Sequence, residues 1–190
     1  MIDISQIRKD FPQLSPPIPV GSSSYHYLDA AATSLTPQAV LDAEIDYYTH
    51  RRANVHRGLF KEAVEATELY EEARKKIADF IGADVQEVIF TAGATESSNM
   101  LVRMIDESVR HIEKVKHIVT TVMEHHASFI PLQQYAFREN IPLHLIPMKG
   151  LGLDYEKAEE LITDDTSIVS VMLASNVTGA INDVRQIGRA

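Results

Sequence analysis

Three short stretches of the chain hold residue types that could do chemistry. In the first, VIFTAGATESSN (residues 88–99), an apolar run ends at Phe90-Thr91, a small-residue turn follows, and a helix begins near Thr95. Such a junction aims free backbone N–H groups and the positive helix end at one spot, with the Thr95 hydroxyl as a further donor, so it suits a phosphate. The local alternative is a tight turn at Ala92, Gly93 and Ala94 with Thr95 as a helix cap. The second stretch, TVMEHHAS (residues 121–128), also closes an apolar run, at the strand end where open parallel sheets hold ligands. A histidine there could stack on a planar cofactor or move protons near neutral pH, or simply be a solvated loop residue. Glu124, His125 and His126 are metal-ligand types, but three successive residues converge poorly on one ion and no further ligand set accompanies them, so no metal is assigned. The third is LASNVTGA (residues 173–180), where the Asn176 amide could donate to a phenolate or carboxylate oxygen, or serve as an ordinary turn former.

These stretches need elements to hold them, and the hydrophobic pattern supplies them. Short aliphatic runs at 88–91, 117–122, 143–147 and 168–173 alternate with helix-length spacers, which predicts βαβ units and a largely parallel sheet with helices on both faces. Upstream, Ile4, Ile7 and Phe11 mark a short helix over 3–11, and PQLSPPIPVGSSS marks a loop. Thr36-Pro37 reads as an N-cap followed by proline at the first helical position, with Leu41, Ile45 and Tyr48 on one face of the helix. Ala66, Leu69, Tyr70, Ala73, Ile77, Phe80 and Ile81 predict a longer amphipathic helix over 62–81, stopped by Gly82. The expected organisation is an N-terminal helix and loop over 1–26 and an α/β domain over 27–190. Its sheet is expected to be incomplete with one edge open, because DVRQIGRA begins a crossover helix that no strand follows.

Composition narrows the class. A chain of 190 residues with 45% hydrophobic content can bury a core. Its net charge of -9, with no basic stripe, argues against nucleic acid as a partner. No stretch approaches the roughly 18 apolar residues of a membrane span and the N-terminus lacks the pattern of a secretory signal, so a cytoplasmic protein is expected. There is no cysteine, so any thiolate chemistry must come from elsewhere.

Taken in order, five motifs resemble the class V branch of the fold-type-I pyridoxal-phosphate (PLP) enzymes, and within it the cysteine desulfurase and selenocysteine lyase group. YLDAAATSLTP resembles that group's opening loop, NVHRG its segment near the neighbouring subunit, TAGATES its phosphate loop, MEHHAS its cofactor-stacking histidine, and SNVTGA its loop bearing an asparagine. The resemblance runs from about Tyr27 to the last residue. It implies PLP as cofactor, with Ala94 and Thr95 at the phosphate, His125 stacked on the pyridine ring, and Asn176 at the phenolic oxygen or the substrate carboxylate. His126 would support the loop, and His56 and Arg57 would be either solvent-exposed or at a homodimer interface.

The implied activity is removal of sulfur or selenium from L-cysteine or L-selenocysteine, giving alanine, with a possible sulfur-acceptor protein and a link to iron–sulfur cluster assembly. In such enzymes a lysine forms the Schiff base, an acidic residue pairs with the pyridine nitrogen, a cysteine takes the sulfur and an arginine clamps the carboxylate. None of the eight lysines here stands in the Ser-x-His-Lys setting of that group, so this chain is expected to be the N-terminal part of the large domain, without catalytic residues and inactive alone. The alternatives are another class V enzyme, an aminotransferase or epimerase, or a non-catalytic anion-binding or dimerisation domain.

Overall fold

The computed structural model describes residues 3–14, 25–109 and 115–190, which gather into two compact units, Met1–Ile89 and Phe90–Ala190. Residues 15–24 of the expected proline-rich loop lie outside the described residues.

The first unit is helical. Helix α1 (Ile4–Lys9) is capped by the Asp3 side chain, which accepts from the Ser5 amide. Helix α2 (Gln38–Asp46) starts one residue later than the sequence suggests, because the Gln38 amide donates to the Asp10 carbonyl and Pro37, still extended, becomes the N-cap. Helix α3 (Lys61–Ile81) ends as expected at Gly82, whose φ of 72° is the left-handed turn that glycine adopts without strain. Its apolar face is less covered than its periodicity implies: Ala63, Ala66 and Ala78 are buried, whereas Ile77, Phe80 and Ile81 remain exposed.

The NVHRG segment leads into α3 and is fixed by it. His56 holds a left-handed φ of 61°, its amide donates to the Thr67 hydroxyl, and its Nε2 lies 2.8 Å from Oε1 of Glu71. Two residues on, a Cβ at Gly58 would come within 2.5 Å of the Cβ of Ala63, a fully buried atom that cannot swing aside. Gly58→Ala is therefore expected to cost on the order of 1–3 kcal/mol, read as a lower urea midpoint with an unchanged slope.

The second unit is the α/β part. It runs α4 (Ala94–Val109), β1 (His117–Thr121), α5 (His126–Arg138), β2 (Leu143–Ile146), β3 (Met148–Lys149), β4 (Gly152–Leu153), α6 (Tyr155–Leu161), β5 (Thr166–Val169) and α7 (Val184–Arg189). The main sheet has the order β2-β1-β5 with both pairs parallel, Ile118 facing Leu143 on one side and Ile168 on the other. β3 and β4 form a separate antiparallel pair. β1 is buried on both faces because both are covered. Ile118 joins Val102, Leu132 and Tyr135 of α4 and α5, while Val119 joins Ile146, Ala158 and Ile187 on the side of α6 and α7.

Two expected strands are corrected. Residues 88–91 are not a strand of either sheet: Val88 is extended, but the run spans the boundary between the units, and a β-branched run has strand propensity without thereby fixing a place in a sheet. The run at 168–173 contributes a strand at 166–169 instead. The Ser170 amide still bonds the Val119 carbonyl, but the Met172 amide is taken by the Glu124 side chain, so the ladder stops.

Candidate cofactor site

The strand ends and helix starts of the second unit bring the candidate residues to its loops. At the start of α4 the turn is tied internally. The Ser97 amide bonds the Gly93 carbonyl, and the hydroxyls of Thr91 and Ser97 lie 2.7 Å apart. The first-turn amides, which include those of Ala94 and Thr95, have no carbonyl four residues back within the helix. The carboxylate of Glu96 folds back onto the Ala92 amide at 2.5 Å. The Thr95 hydroxyl makes no hydrogen bond among the described residues, and Ala94 and Thr95 are both exposed. The donors open to an anion at this helix start therefore include those of Ala94 and Thr95, which fits a phosphate.

His125 is not a free loop residue. It is the N-cap of α5, with Nδ1 accepting the Ala127 amide at 3.1 Å. With Nδ1 so engaged, the neutral ring is assigned its proton on Nε2. His126 is the first residue of α5 and lines a cavity of about 330 Å³ between α4 and α5 together with Thr95, Asn99, Arg103, Gln134 and Arg138. The cavity brings Thr95 and His126 together; neither His125 nor Asn176 lines it.

Asn176 sits at the tip of a closed loop. Ser175 is buried and its hydroxyl accepts the amides of Val177 and Thr178, while its own amide donates to the Ala180 carbonyl. Gly179 supplies a left-handed φ of 71°, and a bridge pairs Ala174 with Ile181. The loop chemistry belongs to Ser175 and Gly179, so the exposed Asn176 amide makes no hydrogen bond among the described residues and remains open to a ligand.

Sequence reasoning missed what Glu124 does. Its Oε1 accepts the Met172 amide at 2.6 Å and the Thr121 hydroxyl at 3.0 Å, joining the end of β1 to the segment that follows β5. No local pattern in MEHHAS signals this, because the partner lies 48 residues away. Burial pushes the Glu124 carboxyl above its ordinary value, opposed by its bonds to the Met172 amide and the Thr121 hydroxyl. A folded pKa above the unfolded one means that the folded state binds the proton more tightly. Its contribution to stability is then present below the ordinary value of 4.5 and is lost as pH rises through the folded pKa. Glu124→Gln, which cannot ionise, is expected to gain thermal stability relative to the wild type as pH rises from about 4 to 8, and melting curves across that range check it.

Fold and site together define a mainly parallel α/β domain of the kind that fold-type-I PLP enzymes carry, with helices on both faces and the candidate residues at its loops. Residues 26–190 match the aminotransferase class-V family, and the chain belongs to it. It is 43% identical over 194 residues to a probable cysteine desulfurase of Streptomyces coelicolor, covering 100% of this chain and 46% of that protein. It is 39% identical over 201 residues to a cysteine desulfurase of Haloferax volcanii, covering 98% of this chain and 46% of the other. Among solved structures, the apo cysteine desulfurase of Thermococcus onnurineus matches with a TM-score of 0.83 at 36% identity, over 100% of this chain and 44% of that one. The chain thus spans under half the length of the relatives it matches, and its family implies PLP as the cofactor. No helix among the described residues is long and apolar enough to cross a membrane.

Proposed function

We propose that the protein carrying this chain is a PLP-dependent cysteine desulfurase that takes sulfur from L-cysteine, or selenium from L-selenocysteine, and leaves alanine. The observation that carries the reading is the unpartnered donor set of Ala94 and Thr95 at the start of α4, within a chain 43% identical to a probable desulfurase. When bound, PLP supplies the electron sink that such chemistry requires. The residues of this chain would hold and orient it. The amides of Ala94 and Thr95 and the Thr95 hydroxyl would bind the phosphate, His125, held by the Ala127 amide, would stack on the pyridine ring, and Asn176 would donate to the phenolic oxygen or the substrate carboxylate. The chain has no cysteine, so a sulfur-accepting thiolate comes from outside these residues and the chain alone is inactive.

In this reading residues 27–190 are the N-terminal part of the PLP-binding large domain, preceded by a helix and loop over 1–26. The protein works as a cytoplasmic homodimer and hands sulfur to an acceptor protein. Sulfide and alanine release from L-cysteine by the whole protein, measured against free PLP, tests the activity. Equal amounts of both products well above the free-cofactor rate are expected. Amino-group transfer or epimerisation without sulfide would instead assign it to another class V activity.

A further inference from the structure

Glu124 and Asn182 both hold the backbone of Met172. Glu124 Oε1 takes the Met172 amide at 2.6 Å, while the Asn182 side-chain amide donates to the Met172 carbonyl at 2.9 Å. The Asn182 backbone amide also donates to the Leu173 carbonyl at 2.7 Å. Asn182 is buried, and so is Thr121, whose hydroxyl donates to Glu124 and accepts the Met123 amide at 3.1 Å. The chain between Met172 and Asn182 is the closed loop with Asn176 at its tip. The residue after Glu124 is His125, the cap of α5.

We propose that Glu124 is a positioning residue: its carboxylate locks the Asn176 loop to the strand end that bears His125, so that the two side chains are held in one fixed relation. That this relation serves a cofactor rests on the reading of the site given above. A carboxylate suits the task because it is acceptor-only and can take the Met172 amide and the Thr121 hydroxyl at once, while a bond to an ionised acceptor is shorter and stronger than a neutral one. Its burial, which disfavours the ionised form, is borne where a loop must be held that the β1–β5 ladder no longer reaches. Asn182 still holds the Met172 carbonyl, so removing Glu124 frees one anchor of the loop without emptying either core cluster.

Hydrogen exchange read by mass spectrometry on this chain tests the proposal. Glu124→Ala is expected to speed exchange of the amides over 172–181 about tenfold or more, with the β1–β2 ladder and α3 unchanged. Glu124→Gln keeps an acceptor oxygen at the same reach and is expected to restore exchange to within about threefold of wild type. If the alanine variant fails to fold, Glu124→Asp, one methylene too short to reach Met172, gives the same readout. Unchanged exchange over 172–181 in the alanine or aspartate variant overturns the proposal, as does failure of glutamine to rescue it.

A PLP titration of the same variants in the whole protein gives the second readout, with weaker binding in the alanine variant recovered in the glutamine variant. Accelerated exchange with PLP affinity untouched by Glu124→Ala, while Thr95→Val weakens it, overturns the positioning role. Absence of PLP binding by the wild type would instead sink the cofactor reading, and the exchange data would still decide whether Glu124 holds the loop.

Discussion

Thr95→Val is expected to lower the affinity of the whole protein for PLP about tenfold or more while leaving its melting temperature within about a degree of wild type. The two halves of that expectation come from one observation. The Thr95 hydroxyl makes no hydrogen bond among the described residues and the side chain is exposed, so the isosteric valine removes nothing that holds the fold. A hydrogen bond to a charged group is worth on the order of 1.5–3 kcal/mol, and about 1.4 kcal/mol is a factor of ten in the dissociation constant. Thr91→Val is the contrasting variant. Its hydroxyl bonds the Gly93 carbonyl and the Ser97 hydroxyl, so its loss loosens the turn itself and lowers both stability and affinity. Fluorescence titration with PLP, with inorganic phosphate as competitor, reads the affinities. Unchanged binding in Thr95→Val would mean that the phosphate goes elsewhere.

The second large effect is an absence of covalent capture. A lysine that bonds the PLP aldehyde must offer an unprotonated amine, and at an ordinary pKa near 10.4 only about four in ten thousand are unprotonated at pH 7. The described lysines are solvated or paired with carboxylates: Lys61 with Glu65, Lys75 with Asp79, Lys116 with Asp165, Lys149 with Glu156 and Lys157 with Glu160. The bonded glutamates raise Lys149 and Lys157 further, which makes their free amines scarcer still. Adding PLP to the 190-residue chain and reducing with borohydride is therefore expected to give trace labelling spread over several lysines, and no sulfide from cysteine above that of free PLP. Near-complete labelling of a single lysine, Lys114 outside the described residues included, would mean that this chain holds a covalent cofactor site of its own.

Much of the architecture was legible because it rests on local pattern. The Gly82 stop, the span of α3 and the parallel runs at 117–122 and 143–147 follow from residue spacing alone. The misses each have a non-local cause. Pro37 lost its place inside α2 to the Asp10 carbonyl, and the 168–173 run lost its last residues to Glu124, two bonds that no sequence window contains. The run at 88–91 has strand chemistry but belongs to neither sheet, and periodicity cannot reveal which apolar runs join a ladder. The exposed apolar residues of α3 teach the same lesson, since spacing identifies a face but not what covers it. In the candidate site, Thr95 and Asn176 were singled out by their chemistry, and the fold leaves both exposed. The capping role of His125 and the grip of Glu124 were not legible, because both depend on backbone amides whose positions only the folded chain fixes.

The His125 cap has a bearing on how mutational libraries of this protein would be interpreted. The imidazole closes α5 through Nδ1, a service that a helix N-terminus values at about 1 kcal/mol whether or not any cofactor is present. In a library sorted only for soluble expression, histidine at 125 would therefore be kept or exchanged for asparagine, aspartate or serine, the side chains that helix N-termini prefer. If the proposed cofactor role holds, retention of histidine alone would emerge only when the sort demands turnover, and the difference between the two sorts would separate that role from the service to the helix.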